Sequence, residues 1–574
     1  MIPIISTLPL LLPVSALAAP PTPALVATTC VADAVDDLIA EGREALDRGE
    51  LEAAEQKFAE AEAKDADRGA IWRMRASISR GAIDDVLAEL GTLRRAGKKG
   101  PDYDYLYGLC FATQAAFEIA QGGGSNTGLV LQDAKRELEG VTSKDPVRYR
   151  DAHLYLARVC RDLGDDAGTE AAARKAIEHY PASIEAHELV ARGALGRYAA
   201  LSQDEEKADE AKAAYEAATG AVERAIELVG APRGGGEQAQ LATLQALRGD
   251  VLAFGKDLDG AMHAYAEAIG WEPAGFDYRR AYATLDIDRL VKCIDEGRAL
   301  FTKRARGKDP RMATVDWWLG YAIMQSKDPA RNEDGEKAML RAIELWPGYT
   351  NSWYYVARLR IDRKDPAGAV EALHQMSELD RAGLIGLVQW DPNDITRLFG
   401  LIDHSMNQKT PDNLEAAFLA RIQAEAFPDR DDYWNNVGLF LRDAADLRGG
   451  RKGRKKFSEK EREELLPLYE QSLEAYRKAL ELVPDSPMYL NDTAVLLHYY
   501  LERDYDQALA MYAEAEKQAQ AQLDSGKLSK DVRPLVEIAL RDSRNNRRAL
   551  EEKIAQEKRG EEGGGEKKKG GGGR

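Results

Sequence analysis

The chain has 574 residues, of which 44% are apolar, 31% charged and 7% aromatic, and its formal net charge is -18. That length exceeds one ordinary core, so it requires three or four domains or one elongated array. Alternating Val/Ile runs, the mark of strands, are almost absent, and the acidic excess disfavours a general nucleic-acid binder because phosphate repels it.

Long stretches rich in Ala, Leu, Glu, Lys and Arg, all strong helix formers, predict an all-α protein. The N-terminus carries an apolar run from Ile2 to Leu17 that ends in Ala16-Leu17-Ala18, a small-x-small pattern suited to signal-peptidase cleavage. Pro3, Pro9 and Pro13 argue against a spanning helix. Residues 1–18 therefore read as a signal peptide and 19–32 as a linker, which makes the chain an exported protein, periplasmic or secreted, although no Lys or Arg precedes the apolar run. Cys30 follows Ala27-Thr28-Thr29, a poor match to a lipoprotein box, so no lipid anchor is expected there. No later segment is apolar enough to cross a membrane.

From residue 33 onward the chain repeats itself. Gly42 is followed by Ala54, Phe58 and Ala61; Gly249 is followed at the same intervals by Ala261, Tyr265 and Ala268, then Pro273. Ala357, Ala369, Leu373 and Met376 keep the spacing, with Trp353 ahead of them. Further copies read Gly335, Met339, Ala342, Pro347, then Ser472, Tyr476, Ala479, Pro484, then Ala508, Tyr512, Ala515. Two antiparallel helices that cross closely need a small residue on each at the crossing. The Gly there costs about 1 kcal/mol of helix propensity, and close approach recovers dispersion contacts. The large residue four positions on is expected to fill the gap towards the next hairpin, and the Pro breaks the chain between repeats. Asp47-Arg48-Gly49-Glu50 and Gly255-Lys256-Asp257 mark turns between helices.

These residues, with "DWWLGYAI" from Asp316 to Ile323 and "AMHAYAEAIGWEP" from Ala261 to Pro273, resemble the tetratricopeptide repeat, in a protein of the exported bacterial type. The resemblance covers roughly residues 33–518. It implies a right-handed superhelical solenoid of stacked antiparallel hairpins, with first helices lining a concave groove. It also implies a non-enzymatic scaffold that holds a peptide or a partner helix in that groove. A structural spacer or assembly platform of the cell envelope is the alternative; an enzyme with a cryptic active site ranks last.

The array divides in the sequence into 33–380 and 431–518, separated by 381–430, an irregular helical connector where "VQWDPNDITRLF" fits no repeat. Residues 68–100 keep Trp72 and little else of the pattern, and 276–310 is too short for a regular pair. In this register the groove positions are Ala246 and Asp250, Trp317 and Tyr321, Tyr354 and Arg358, Asn435 and Leu439, and Asn491 and Val495. Of these, Trp317, Tyr321, Tyr354, Arg358, Asn435 and Asn491 are the candidate partner contacts. Aromatics grip an extended peptide, and Asn bonds its backbone. For Trp317 and Tyr354, packing between hairpins is the alternative role.

Residues 448–462 form a basic insertion, with Arg448, Arg451, Lys452, Arg454, Lys455 and Lys456 free of any acidic neighbour. It reads either as an electrostatic contact for an acidic partner, lipid headgroup or nucleic acid, or as a solvated loop. Residues 519–557 read as polar capping helices, and 558–574 as a disordered Gly/Lys/Glu tail.

No catalytic, metal or cofactor motif emerges. The seven histidines lack metal-ligand spacing, no G-x-S-x-G elbow occurs, and the Gly-rich stretches 122–124 and 233–236 lack a phosphate-loop ending. Cys110, Cys160 and Cys293 show no C-x-x-C spacing. They read as small buried residues, with a Cys110–Cys160 pair as an alternative.

Overall fold

The computed structural model describes residues 34–305, 307–448 and 458–565. Among them there are 26 α-helices and no strand. The signal-peptide and linker assignments, with Cys30, lie outside the described residues, as do Arg451 to Lys456 of the basic insertion. Internal contacts divide the chain after Pro347.

The N-terminal unit is a run of consecutive antiparallel helix pairs. They are α1 (Ala34–Asp47) with α2 (Leu51–Lys64), α3 (Ala66–Ser79) with α4 (Ile83–Arg95), and α5 (Pro101–Ala120) with α6 (Thr127–Thr142). Next come α7 (Ala152–Asp162) with α8 (Asp166–His179), α9 (Ile184–Leu201) with α10 (Ala208–Val229), and α11 (Gly235–Phe254) with α12 (Leu258–Trp271). The last are α13 (Tyr278–Thr284) with α14 (Ile287–Arg304), and α15 (Met312–Ser326) with α16 (Asn332–Leu345).

The recurrent small residues sit where the spacing predicts. Ala54, Ala61, Ala261 and Ala268 are fully buried. The large residue behaves differently from expectation: it covers the glycine of its own hairpin. A Cβ on Gly42 or Gly249 would collide with the ring of Phe58 or Tyr265. The same relation holds for Gly108 with Leu138 and Gly320 with Met339, where an added Cβ would lie 2.8 Å from the covering side chain. Glycine is therefore required for space, because the covering side chain needs the volume a Cβ would occupy.

The weakly patterned segments fold as hairpins too. Residues 68–100 supply α3 and α4, with Trp72 stacked 6.1 Å from Phe58. The stretch 276–310 does hold a pair, because α13 is cut to seven residues and α12 packs directly on α14.

The C-terminal unit begins with α17 (Ser352–Asp362) and α18 (Pro366–Leu379). Residues 381–430 are regular: α19 (Arg381–Trp390), α20 (Asn393–Met406) and α21 (Asn413–Ala426) stack on one another and on α18. Then come α22 (Asp431–Arg448), α23 (Glu459–Leu482) and α24 (Pro487–Val495), the last running into a π-helical turn over Leu496–Leu501. Next are α25 (Tyr505–Asp524) and α26 (Val532–Gly565). α23 starts inside the basic insertion, behind a capping box of Ser458 and Glu461. Residues 519–524 belong to α25, and α26 continues past 557 into the segment read as tail.

Each unit thus shows the stacked-hairpin, tetratricopeptide-like architecture. Cys110, Cys160 and Cys293 are buried free thiols, and burial pushes the Cys160 thiol up to about 11.

Candidate functional site

Three first helices of the N-terminal unit each carry an arginine turned to one side of the stack: Arg43 on α1, Arg75 on α3 and Arg158 on α7, with Arg150 just ahead of α7. The stack curls so that the end of α1 meets the start of α9, and these arginines converge on one cleft of about 270 Å³. Trp72, Tyr155 and Tyr180 line it with them, beside Asp47, Asp151 and Glu185.

Arg75 is the anchor. Its Nη2 lies 2.9 Å from Asp151 Oδ2, and its Nε donates to the Tyr105 hydroxyl at 3.0 Å. That hydroxyl in turn donates to Asp151 at 2.8 Å. Burial opposes the Asp151 charge, and Arg75 with the Tyr105 hydroxyl outweighs it, so the carboxyl is held below its ordinary range. Arg158 grips Glu185 bidentately at 2.5 Å on each oxygen, and again the pair outweighs burial and lowers the Glu185 carboxyl. Arg150 pairs with Asp47 and donates to the Tyr180 hydroxyl at 3.1 Å. Here burial wins, and the Asp47 carboxyl is raised.

Arg43 differs from the other three. Its Nη2 donates to the Arg148 carbonyl at 2.9 Å, and its guanidinium sits 4.7 Å over the Trp72 ring. The cleft therefore sets four guanidinium groups against three carboxylates, in a chain that is acidic overall. Tyr155 is flanked by Arg75 at 5.6 Å and Arg158 at 4.9 Å from its ring centre. Such a wall presents flat apolar surface with fixed donors at its edges.

The residues singled out from the sequence lie elsewhere and are not gathered into one site. Trp317 is 4% exposed and stacks on Tyr321 at 5.4 Å, with Trp318 edge-on at 5.0 Å. Tyr354 is 3% exposed and donates its hydroxyl to Asp394. Arg358 is paired with Asp391 at 3.2 Å. Asn491 accepts from Ser543 Oγ at 3.3 Å and Asn546 Nδ2 at 3.2 Å, both on α26. Asn435 has its side-chain oxygen buried without a hydrogen-bond partner. Arg448 ends α22, exposed to solvent.

A second depression, of about 770 Å³, runs along α20 past His404, Arg397 and the Lys364 turn; it is shallow and has no aromatic wall. Among the described residues no group of three or more His, Cys, Asp or Glu is placed to hold a metal ion, and no helix is long and apolar enough to cross a membrane.

No protein-family model matches the chain, and neither does any curated protein. Among solved structures, the tetratricopeptide domain of P58(IPK) is similar at 12% identity, covering 76% of this chain and 97% of that one, with a TM-score of 0.18. The Cut9–Hcn1 hetero-tetramer of APC/C is 12% identical, covering 89% and 96%, with a TM-score of 0.21. Yeast Tom70 is 13% identical, covering 91% and 99%, with a TM-score of 0.20. At these scores the likeness bears on neither the cleft nor its occupant.

Proposed function

We propose that this chain is a non-enzymatic protein-interaction scaffold, and that its N-terminal unit holds an extended segment of a partner protein in the arginine–tyrosine cleft. Stacked-repeat folds offer extended concave binding surfaces as a class. The observation that carries the reading is the convergence of Arg43, Arg75, Arg150 and Arg158 with Trp72, Tyr155 and Tyr180 from α1, α3, α7 and the turns beside α7 and α8. Arg, Tyr and Trp dominate interface energetics, because they combine large buried area with directional donors and little conformational loss. The internal ion pairs hold the guanidinium planes in place before a partner arrives, which lowers the ordering cost of binding.

The N-terminal apolar run belongs to the same proposal: read as a signal peptide, it directs the scaffold to the envelope or beyond it. A reporter enzyme active only outside the cytoplasm, fused after residue 32, tests that part alone.

For the cleft, peptides selected by phage display against the folded chain supply the probe. Tyr155→Ala with Arg43→Glu is expected to weaken the selected peptides at least about tenfold, with the helical content unchanged. Selected peptides that bind the double variant as tightly as the parent rule the cleft out as the binding surface.

A further inference from the structure

The size and lining of the arginine–tyrosine cleft narrow the kind of side chain it can hold. An apolar cavity of about 150 Å³ holds benzene, and pockets for whole small ligands begin near about 300 Å³. At about 270 Å³ the cleft has room for one large side chain and little more. Leu46, Leu51, Leu154 and Ile184 line it together with its three aromatic residues. A guest that covers them must be mostly apolar.

Charge narrows the choice further. Each of the four guanidinium groups lies over a ring of the protein. Arg43 stands 4.7 Å from the Trp72 ring centre and Arg150 5.6 Å from that of Tyr180. Arg75 and Arg158 stand 5.6 Å and 4.9 Å from that of Tyr155. Asp151, Asp47 and Glu185 pair with Arg75, Arg150 and Arg158 in the same small space. A guest carboxylate would therefore meet three like charges, and a guest cation four. A neutral ring avoids both, and its electron-rich face is attracted to a guanidinium plane. An aliphatic side chain of the same size has no such face.

Two polar groups of the cleft have hydrogen-bonding capacity to spare. Among the described residues Arg43 has no carboxylate partner; it gives one N–H to the Arg148 carbonyl. Gln240, on α11, lines the cleft, and its side-chain amide makes no hydrogen bond among the described residues. We infer that the cleft takes one aromatic side chain of the partner segment, tyrosine foremost, with its ring against the guanidinium-covered wall and its hydroxyl at Arg43 and Gln240. A phenol hydroxyl accepts from a guanidinium and both donates to and accepts from an amide. The inference rests on the cleft being the binding surface proposed above.

The first test uses the full chain and two small probes of one shape, p-cresol and 4-methylcyclohexanol, followed by ligand-observed NMR. p-Cresol is expected to bind, and 4-methylcyclohexanol about fivefold or more weakly, because only p-cresol offers a ring face. Ile184→Trp fills the cleft from its half-buried edge, and Tyr155→Leu removes the ring that two guanidinium groups cover. Both variants are expected to lose p-cresol with their helical content unchanged. Equal binding of the two probes, or p-cresol binding that neither variant changes, overturns the inference.

The second test carries the question to a protein segment and separates this inference from the broader reading. Peptides from the phage selection that Tyr155→Ala with Arg43→Glu weakens are the cleft binders, and one aromatic position is expected in them. Cyclohexylalanine at that position should weaken binding about fivefold or more, and glutamate further still. Phenylalanine in place of tyrosine should cost about threefold, a difference that Arg43→Gln should reduce. If the double variant weakens no peptide, the cleft is not the surface and both readings fall. If it does weaken them, yet cyclohexylalanine or glutamate binds as tightly as the aromatic residue, the surface stands and the aromatic assignment falls.

Discussion

At the scale of single residues, the glycines and one ion pair say most. Gly249 exists to receive the Tyr265 ring, whereas Gly386, in the middle of α19, faces open space. Gly249→Val is expected to destabilise the N-terminal unit by about 1–3 kcal/mol through overpacking, while Gly386→Ala gains about 0.5–1 kcal/mol of helix propensity. Denaturant midpoints of the two variants check both signs. Arg75 and Asp151 form the least exposed ion pair in the cleft, with side chains 8% and 19% exposed. Removing one partner leaves a buried charge, so Arg75→Met is expected to cost about 3–5 kcal/mol at neutral pH. The Asp151 carboxyl is depressed in the folded state, so its contribution is complete above the unfolded value of about 3.9 and is lost as pH falls through the lower folded value. The penalty of Arg75→Met should therefore shrink when unfolding is measured in acid below that folded value. A penalty that stays constant with pH would assign the loss to packing of the arginine stem.

At the scale of elements, five of the hairpin turns share one geometry that the sequence half revealed. Gly49, Gly81, Gly164, Lys256 and Lys364 all take positive φ just after a first helix. In each case the next residue's N–H reaches back five positions: Glu50 to Ala45, Ala82 to Ser77, Asp165 to Cys160, Asp257 to Leu252 and Asp365 to Arg360. This is the Schellman closure, and it needs a left-handed residue at one place. Asp165, Asp257 and Asp365 then cap the second helix by accepting from the backbone N–H of Gly168, Gly260 and Gly368. The turn at Gly255-Lys256-Asp257 was legible as a turn, but the glycine misleads about its register. Gly255 has ordinary φ, and its missing side chain makes room for Tyr215; the left-handed residue is Lys256. A lysine there pays roughly 1–2 kcal/mol that glycine avoids. Lys256→Gly and Lys364→Gly should accordingly each stabilise by about 0.5–1 kcal/mol, after glycine's own entropy is set against the relief. Thermal melts of the single and double variants measure this; a fall in either would mean that the lysine stems pack usefully.

At the scale of the whole molecule, the hairpin stack was readable because it rests on local intervals repeated along the chain. The arginine cleft was not, because it joins residues far apart: Arg150 with Asp47, and Tyr180 with Asp47 again across 133 positions. No interval in the sequence encodes how sharply a stack curls. Segment 381–430 was missed for a related reason: its helices are held by contacts such as Arg381 with Glu425 within the segment and Asp394 with Tyr354 of α17, which match no consensus position.

Charge also acts at this scale. The chain carries 97 acidic against 79 basic residues. Many of its ion pairs join exposed side chains on one helix, such as Lys337 with Glu333 and Lys212 with Glu216. Pairs of that kind contribute about 0–1 kcal/mol each and weaken in salt, whereas the repulsion of a net charge of -18 is felt by every helix. Between about 10 mM and 300 mM salt the Debye length falls from roughly 30 Å to below 10 Å, which screens repulsion across the stack before it reaches contact pairs. Melting temperature is therefore expected to rise by a few degrees over that range, and a fall would show that the surface pairs outweigh the acidic excess. The arginine cleft provides an internal control. Arg75 with Asp151 is largely shielded from solvent ions, so the cost of Arg75→Met should be nearly the same at both ends of the salt range.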